Sequence, residues 1–120
     1  MKREFIMAEN FEKQLAMFHE PENLLLDIEQ EVFIDLEKNI SNRDVIAGTG
    51  GFTKLRVPLR SEGRGKSGSA RVIYLDSEKT EFTFLFMIYS KAKKDSISQE
   101  VKNFLKIKAK EFKQWRPKKN

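Results

Sequence analysis

Apolar positions along this chain change their period twice, and each change predicts a change of element. Arg3-Glu-Phe-Ile-Met7 is either a short first strand or the start of a helix. Phe11, Leu15 and Phe18 then recur at helical spacing. After Pro21, apolar residues fall at Leu25, Ile28, Val32, Leu36 and Ile40, one stripe of a helix, with Glu29, Glu31, Asp35 and Glu37 off it. The pattern predicts a helical hairpin over about residues 10–40 whose task is to cover a sheet.

The glycines of Gly48-Thr49-Gly50-Gly51 end that regime with a loop or tight turn. Period two takes over in Phe52 to Pro58, with Lys54 and Arg56 on one face and Leu55 and Val57 on the other. Arg60 to Gly68 reads as a basic glycine-rich loop. Ala70 to Leu75 reads as a strand, Asp76 to Lys79 as a turn and Thr80 to Tyr89 as a further strand. Phe82, Phe84, Phe86 and Ile88 alternate with Leu85 and Met87. Both faces of that strand are therefore apolar, which predicts a central position in the sheet. Beyond the basic stretch Lys91 to Lys94, Ser96 or Ser98 can cap a last helix. Val101, Phe104, Leu105, Phe112 and Trp115 would form its buried stripe, with Lys102, Lys106, Lys110 and Lys113 outside, and Pro117 would stop it. Helices and an antiparallel meander are segregated, which means α+β. With 120 residues, no repeat and no long linker, the expectation is a single domain over residues 1–120.

Charge adds a second asymmetry. Residues 1–51 carry five basic and 11 acidic side chains, whereas residues 52–120 carry 18 basic and seven acidic. The basic part suits a polyanion, nucleic acid above all. There is no cysteine and one histidine, His19, so disulfides, thiolate metal sites, a cysteine nucleophile and a two-histidine nuclease are excluded. No apolar run is long enough to span a membrane, and none reads as a signal peptide, so a cytoplasmic protein without membrane contact is expected.

Gly65-Lys66-Ser67 invites a phosphate-loop reading, but Arg60 stands where a Walker A motif needs glycine, and a strand rather than a helix follows. Metal-dependent nuclease chemistry needs clustered carboxylates near the basic region. Glu62 and Asp76 are the nearby ones and neither has a companion. What remains is a set of cations around the sheet. Antiparallel pairing would bring the start of the Ala70–Leu75 strand to the end of the Thr80–Tyr89 strand, so Arg71, Tyr89 and Lys91 could meet. Such a patch can bind phosphates and stabilise a phosphorane. RNA supplies its own nucleophile, the 2′-hydroxyl, so the protein needs only to position it and neutralise charge.

The string Asp44-Val-Ile-Ala-Gly-Thr-Gly-Gly-Phe-Thr-Lys-Leu-Arg56, followed by Gly63-Arg-Gly-Lys-Ser-Gly-Ser-Ala-Arg-Val-Ile-Tyr74 and then Ile88-Tyr-Ser-Lys91, resembles the RelE/ParE toxin superfamily, in its HigB/RelE branch. The likeness covers about residues 44–113. It implies a small antiparallel sheet of three to four strands, an N-terminal helical pair and a C-terminal helix. It further implies the toxin of a type II toxin–antitoxin module that enters the ribosomal A site, cleaves mRNA there and blocks translation, with no metal or other cofactor. Its implied partners are the ribosome, mRNA, a HigA-like antitoxin with a helix-turn-helix domain and, through that antitoxin only, operator DNA.

Carried over by position, Arg71 matches the arginine that contacts the scissile phosphate. Arg64 and Lys66 match basic loop positions with a phosphate-binding or transition-state role. Tyr89 and Lys91 match the aromatic-x-basic end of the central strand, for stacking or acid–base work. Lys54 and Arg56, with Arg60, Lys93 and Lys94, are the expected contacts to rRNA or the mRNA backbone. Two positions depart from the pattern: Ser69 replaces a glycine, and Ile6-Met7-Ala8 stands where a cleaner first strand is expected. The alternatives are a ParE-type gyrase inhibitor, for which an RNA-cleaving patch has no use, and an RNA- or ribosome-binding module without chemistry.

Overall fold

In the computed structural model, residues 2–59, 68–90 and 97–116 are described. Their order is β1 (Glu4–Met7), α1 (Glu9–Leu15), α2 (Pro21–Leu36), a 3-10 turn (Ile40–Asn42), β2 (Thr53–Pro58), β3 (Ser69–Asp76), β4 (Phe82–Ser90) and α3 (Gln99–Gln114). The strands form one sheet in the order β1-β4-β3-β2. This is the expected α+β architecture, and the strand with two apolar faces, β4, is internal.

The sheet is mixed rather than wholly antiparallel. β2, β3 and β4 form the antiparallel meander, but β1 lies parallel to β4, Glu4 opposite Phe82 and Met7 opposite Leu85. The α1–α2 pair, β2 and β3 intervene between β1 and β4, and the chain returns to the sheet in the same direction.

Both faces of the sheet are covered. On one, Phe11, Leu15, Leu24, Ile28, Val32 and Leu36 of the helical pair meet Val57, Ala70, Val72, Tyr74, Leu85 and Ile88. On the other, Leu105 and Ala109 of α3 meet Phe52, Ile73, Leu75, Phe82, Phe84 and Phe86. Phe84 stacks on Phe112 at 4.5 Å between ring centroids, and Trp115 packs edge-on to Phe82. Ser98, one of the two expected caps, accepts a hydrogen bond from Val101 N.

Three positions correct the helical stripes. Ile40 is exposed, because α2 ends at Leu36 and the turn after it points the side chain outward. Phe104 is about half exposed, and Ala109 takes the contact with the sheet. Asp35 is buried rather than solvated, since Tyr74 Oη donates to its Oδ2 at 2.5 Å and Lys38 Nζ lies 3.3 Å from its Oδ1.

The Tyr74 phenol is held well above its ordinary pKa near 10 by burial first and by Asp35 second. Its stabilising contribution is fully present below pH 10. It is lost as pH rises above that value, because the unfolded chain releases a proton that the folded chain keeps. In a Tyr89→Phe protein, phenolate absorbance should therefore not develop near pH 10 but only together with alkaline unfolding. An ordinary titration at pH 10 in the folded protein would refute this.

Gly50 (φ +79°) occupies the left-handed region, and a Cβ there would lie 2.8 Å from Ala109 Cβ in α3. Gly50→Ala combines backbone strain with overpacking, so urea unfolding should show a loss of about 2 kcal/mol or more.

Candidate nucleic-acid interface

Register brings the candidate side chains together. Arg56 of β2 is directly opposite Arg71 of β3, and Arg71 is directly opposite Tyr89 of β4. Opposed residues share a face, so Arg56, Arg71 and Tyr89 form one row across three strands. That face is the α3 side, where Tyr89 packs against the aromatic cluster.

A β-bulge makes the row possible. Ile73 pairs with Met87 and Tyr74 with Leu85, so Phe86 has no partner on β3. Through the bulge the side-chain alternation slips by one residue. Phe86 and Met87 both face α3, Ile88 turns to the α1–α2 side, and Tyr89 returns to the face of Arg71. Strict period two from Leu85 would have placed Tyr89 on the opposite face. The expected grouping of Ile88 with Phe82, Phe84 and Phe86 is thus corrected by the bulge.

Arg71 is the buried cation of the row, 8% exposed. Its Nη1 donates to Ser69 Oγ at 2.9 Å, two residues earlier on the same face. Ser69 therefore orients the guanidinium. Arg56 is exposed at the sheet's edge. Asp44, Lys54, Arg56 and Arg71 line an open recess of about 300 Å³. Asp44 arrives there because the glycine turn folds residues 44–46 back along β2: Lys54 N donates to Asp44 O at 2.9 Å and Ile46 N to Phe52 O at 2.8 Å. Three cations around one carboxylate leave the recess positive, suited to a phosphodiester backbone.

A larger recess, about 560 Å³, lies toward the other end of β3, lined among others by Arg43, Thr53, Tyr74, Asp76 and Lys113. It contains none of the row. Asp76 is engaged there with Arg3.

Of the expected site residues, Lys54, Arg56, Arg71 and Tyr89 are brought together. Arg60, Arg64, Lys66, Lys91, Lys93 and Lys94 lie outside the described residues. Sequence reasoning missed Asp44 and Ser69. The tight glycine turn carried a signal for the first, since it folds Asp44 back beside Lys54. The second carried one in its i, i+2 spacing from Arg71. Among the described residues no helix is long and apolar enough to cross a membrane. A family model described as the RelE toxin of the RelE / RelB toxin-antitoxin system matches residues 26–119.

Proposed function

We propose, from the premise that this chain belongs to the RelE toxin family and is the toxin of a toxin–antitoxin pair, that it is an endoribonuclease acting on mRNA in the ribosomal A site. The observation that carries the reading is the row Arg56–Arg71–Tyr89, a buried arginine between an exposed arginine and an aromatic phenol.

In this reading the RNA 2′-oxygen attacks the adjacent phosphorus. The P–O5′ bond breaks, leaving a 2′,3′-cyclic phosphate and a 5′-hydroxyl. The 2′-hydroxyl proton passes to a general base, and the departing 5′-oxygen takes one from a general acid. Charge accumulates on the non-bridging oxygens of the phosphorane, where Arg71, held by Ser69, offers a fixed fork of donors. Lys54 and Arg56 hold the backbone on either side of the scissile phosphate or on rRNA. Tyr89 stacks on a base or takes part in proton transfer. Tyr74 is unsuited to that task, its hydroxyl being committed to Asp35. Arg64, Lys66 and Lys91 take their roles in phosphate binding and acid–base work from the family likeness, and Arg60, Lys93 and Lys94 are assigned to ribosome binding by their charge. The chemistry needs no metal. The cognate antitoxin, in this reading HigA-like with a helix-turn-helix domain, silences the activity and carries the pair to operator DNA.

The test is induction of the protein with and without its neighbouring open reading frame, with mapping of mRNA 5′ ends. Cuts inside translated codons, lost when translation is blocked and suppressed by the neighbour, are expected. Growth arrest with intact mRNA would overturn the reading and point to a gyrase-type target. Separately, Lys54→Ala should weaken ribosome binding and lower the slope of log affinity against log salt by about 1. An unchanged slope in a binding titration over a salt series would remove Lys54 from the interface.

A further inference from the structure

The bulge that aims Tyr89 at the Arg71 row is held from outside the sheet. β1 accompanies β4 only as far as Met7 opposite Leu85. From Phe86 onward the outer edge of β4 faces α1 instead of a strand. A β-edge in that position presents main-chain groups that need partners. Two polar side chains of α1 supply them. Asn10 Nδ2 donates to Phe86 O at 2.6 Å, and Gln14 Oε1 accepts from Ile88 N at 3.0 Å. Asn10 and Gln14 are four residues apart, one turn of helix, so both reach the same edge. The carbonyl of the skipped residue and the amide two positions on, the groups that bracket the bulge, are thus fastened by one helix.

We propose that Asn10 and Gln14 are positioning residues for the ribonuclease site, through the bulge that keeps Tyr89 on the face of Arg71. This rests on the ribonuclease reading for its effect on cleavage, but not for its effect on register. The chemistry required at each position is asymmetric. Position 10 must donate, because it meets a carbonyl. Position 14 must accept, because it meets an N–H. Asn10→Asp puts a carboxylate against Phe86 O and loses the donor, whereas Gln14→Glu keeps an acceptor for Ile88 N. The two isosteric changes therefore have opposite expected outcomes, which a role in bulk packing does not give.

Two readouts test it. The first is single-turnover cleavage on programmed ribosomes. Asn10→Asp and Gln14→Leu should lower the cleavage rate by about ten-fold or more while ribosome affinity stays within about two-fold, and Gln14→Glu should retain the wild-type rate. The second reads register without activity. The chain contains no cysteine, so an Arg71→Cys/Tyr89→Cys pair reports the cross-strand position by disulfide formation under mild oxidant. Crosslinking should be efficient in the otherwise wild-type chain and with Gln14→Glu, and reduced with Asn10→Asp and with Gln14→Leu. Should Gln14→Leu fail to fold, Asn10→Asp against Gln14→Glu decides alone. The inference is overturned if Asn10→Asp crosslinks and cleaves like wild type, or if Gln14→Glu falls as far as Asn10→Asp. A wild-type protein that cuts no mRNA sinks the ribonuclease reading, and the crosslink then still decides whether the two side chains set the register.

Discussion

On the proposed ribonuclease reading, Arg71→Ala should cut mRNA about 100- to 1000-fold more slowly than wild type on the ribosome, the size of effect seen when one preorganised donor to a developing oxyanion is removed. Burial is the reason for so large an expectation. A guanidinium that is 8% exposed and fastened to Ser69 needs no reorganisation when charge develops on the phosphate. Its environment also has a lower effective dielectric than water, so each contact counts for more. Arg71→Lys should recover little, because a single ammonium does not reproduce the two-pronged geometry. The same substitutions should leave stability unchanged or improve it. Arg71 stands directly opposite Arg56, and like charges facing each other across strands are unfavourable. A thermal melt of Arg71→Ala at or above wild type, together with lost cleavage and lost growth arrest, is the expected pair of results. A folded Arg71→Ala protein that cleaves at the wild-type rate would show that the phosphate is held elsewhere.

The largest expected loss of stability is at the other end of the sheet. The Arg3 side chain is 7% exposed and forms an ion pair with Asp76. Arg3 Nη1 donates to Thr80 O at 2.7 Å, Nη2 to Phe82 O at 2.6 Å, and Nε to Thr83 Oγ1 at 3.1 Å. One guanidinium thus fastens the N-terminus to the β3–β4 turn. Arg3→Ala should cost about 3–5 kcal/mol, because it strands a largely buried carboxylate along with several carbonyls. In a chain of this size that is a fall in melting temperature on the order of 10 °C or more. Adding Asp76→Asn should restore part of the loss, since the orphaned charge is then gone. A melt of Arg3→Ala within about 1 kcal/mol of wild type would mean that water replaces the guanidinium without penalty.

Local periodicity carried much of this fold. Period two in Phe52 to Pro58, the strand reading of Ala70 to Leu75, the double apolar face of Thr80 to Tyr89 and the helical spacing around Ile28 and Val32 all correspond to elements in the structure. The meeting of Arg71 with Tyr89 also followed from antiparallel pairing. What the local pattern did not carry depends on contacts between segments far apart. The direction of β1 is a choice of neighbour, made by Arg3 and by the return of the chain, and nothing within Glu4–Met7 encodes it. The bulge at Phe86 exists because α1 offers a donor and an acceptor to an edge that its own residues leave unpaired. Asp35 looked like one more solvated acid of α2 until Tyr74, 39 residues later, arrived beside it. At the site, register gave Arg56, Arg71 and Tyr89, but orientation came from Ser69, whose role depends on the rotamer of its neighbour.

The parallel partnership of β1 with β4 also bears on the order of events during folding. The contact between Arg3 and Thr83 spans 80 residues, so closing it has an entropic cost that the local meander does not share. The antiparallel hairpin of β3 and β4 can form early, whereas the N-terminal strand has no place in the sheet until β4 has been made. On a translating ribosome β1, made before the other strands of this sheet, is therefore among the last to dock. α1, which follows it directly, reaches the bulge only then. A nascent chain of this toxin accordingly completes its tyrosine–arginine row only after β4 has been released from the exit tunnel.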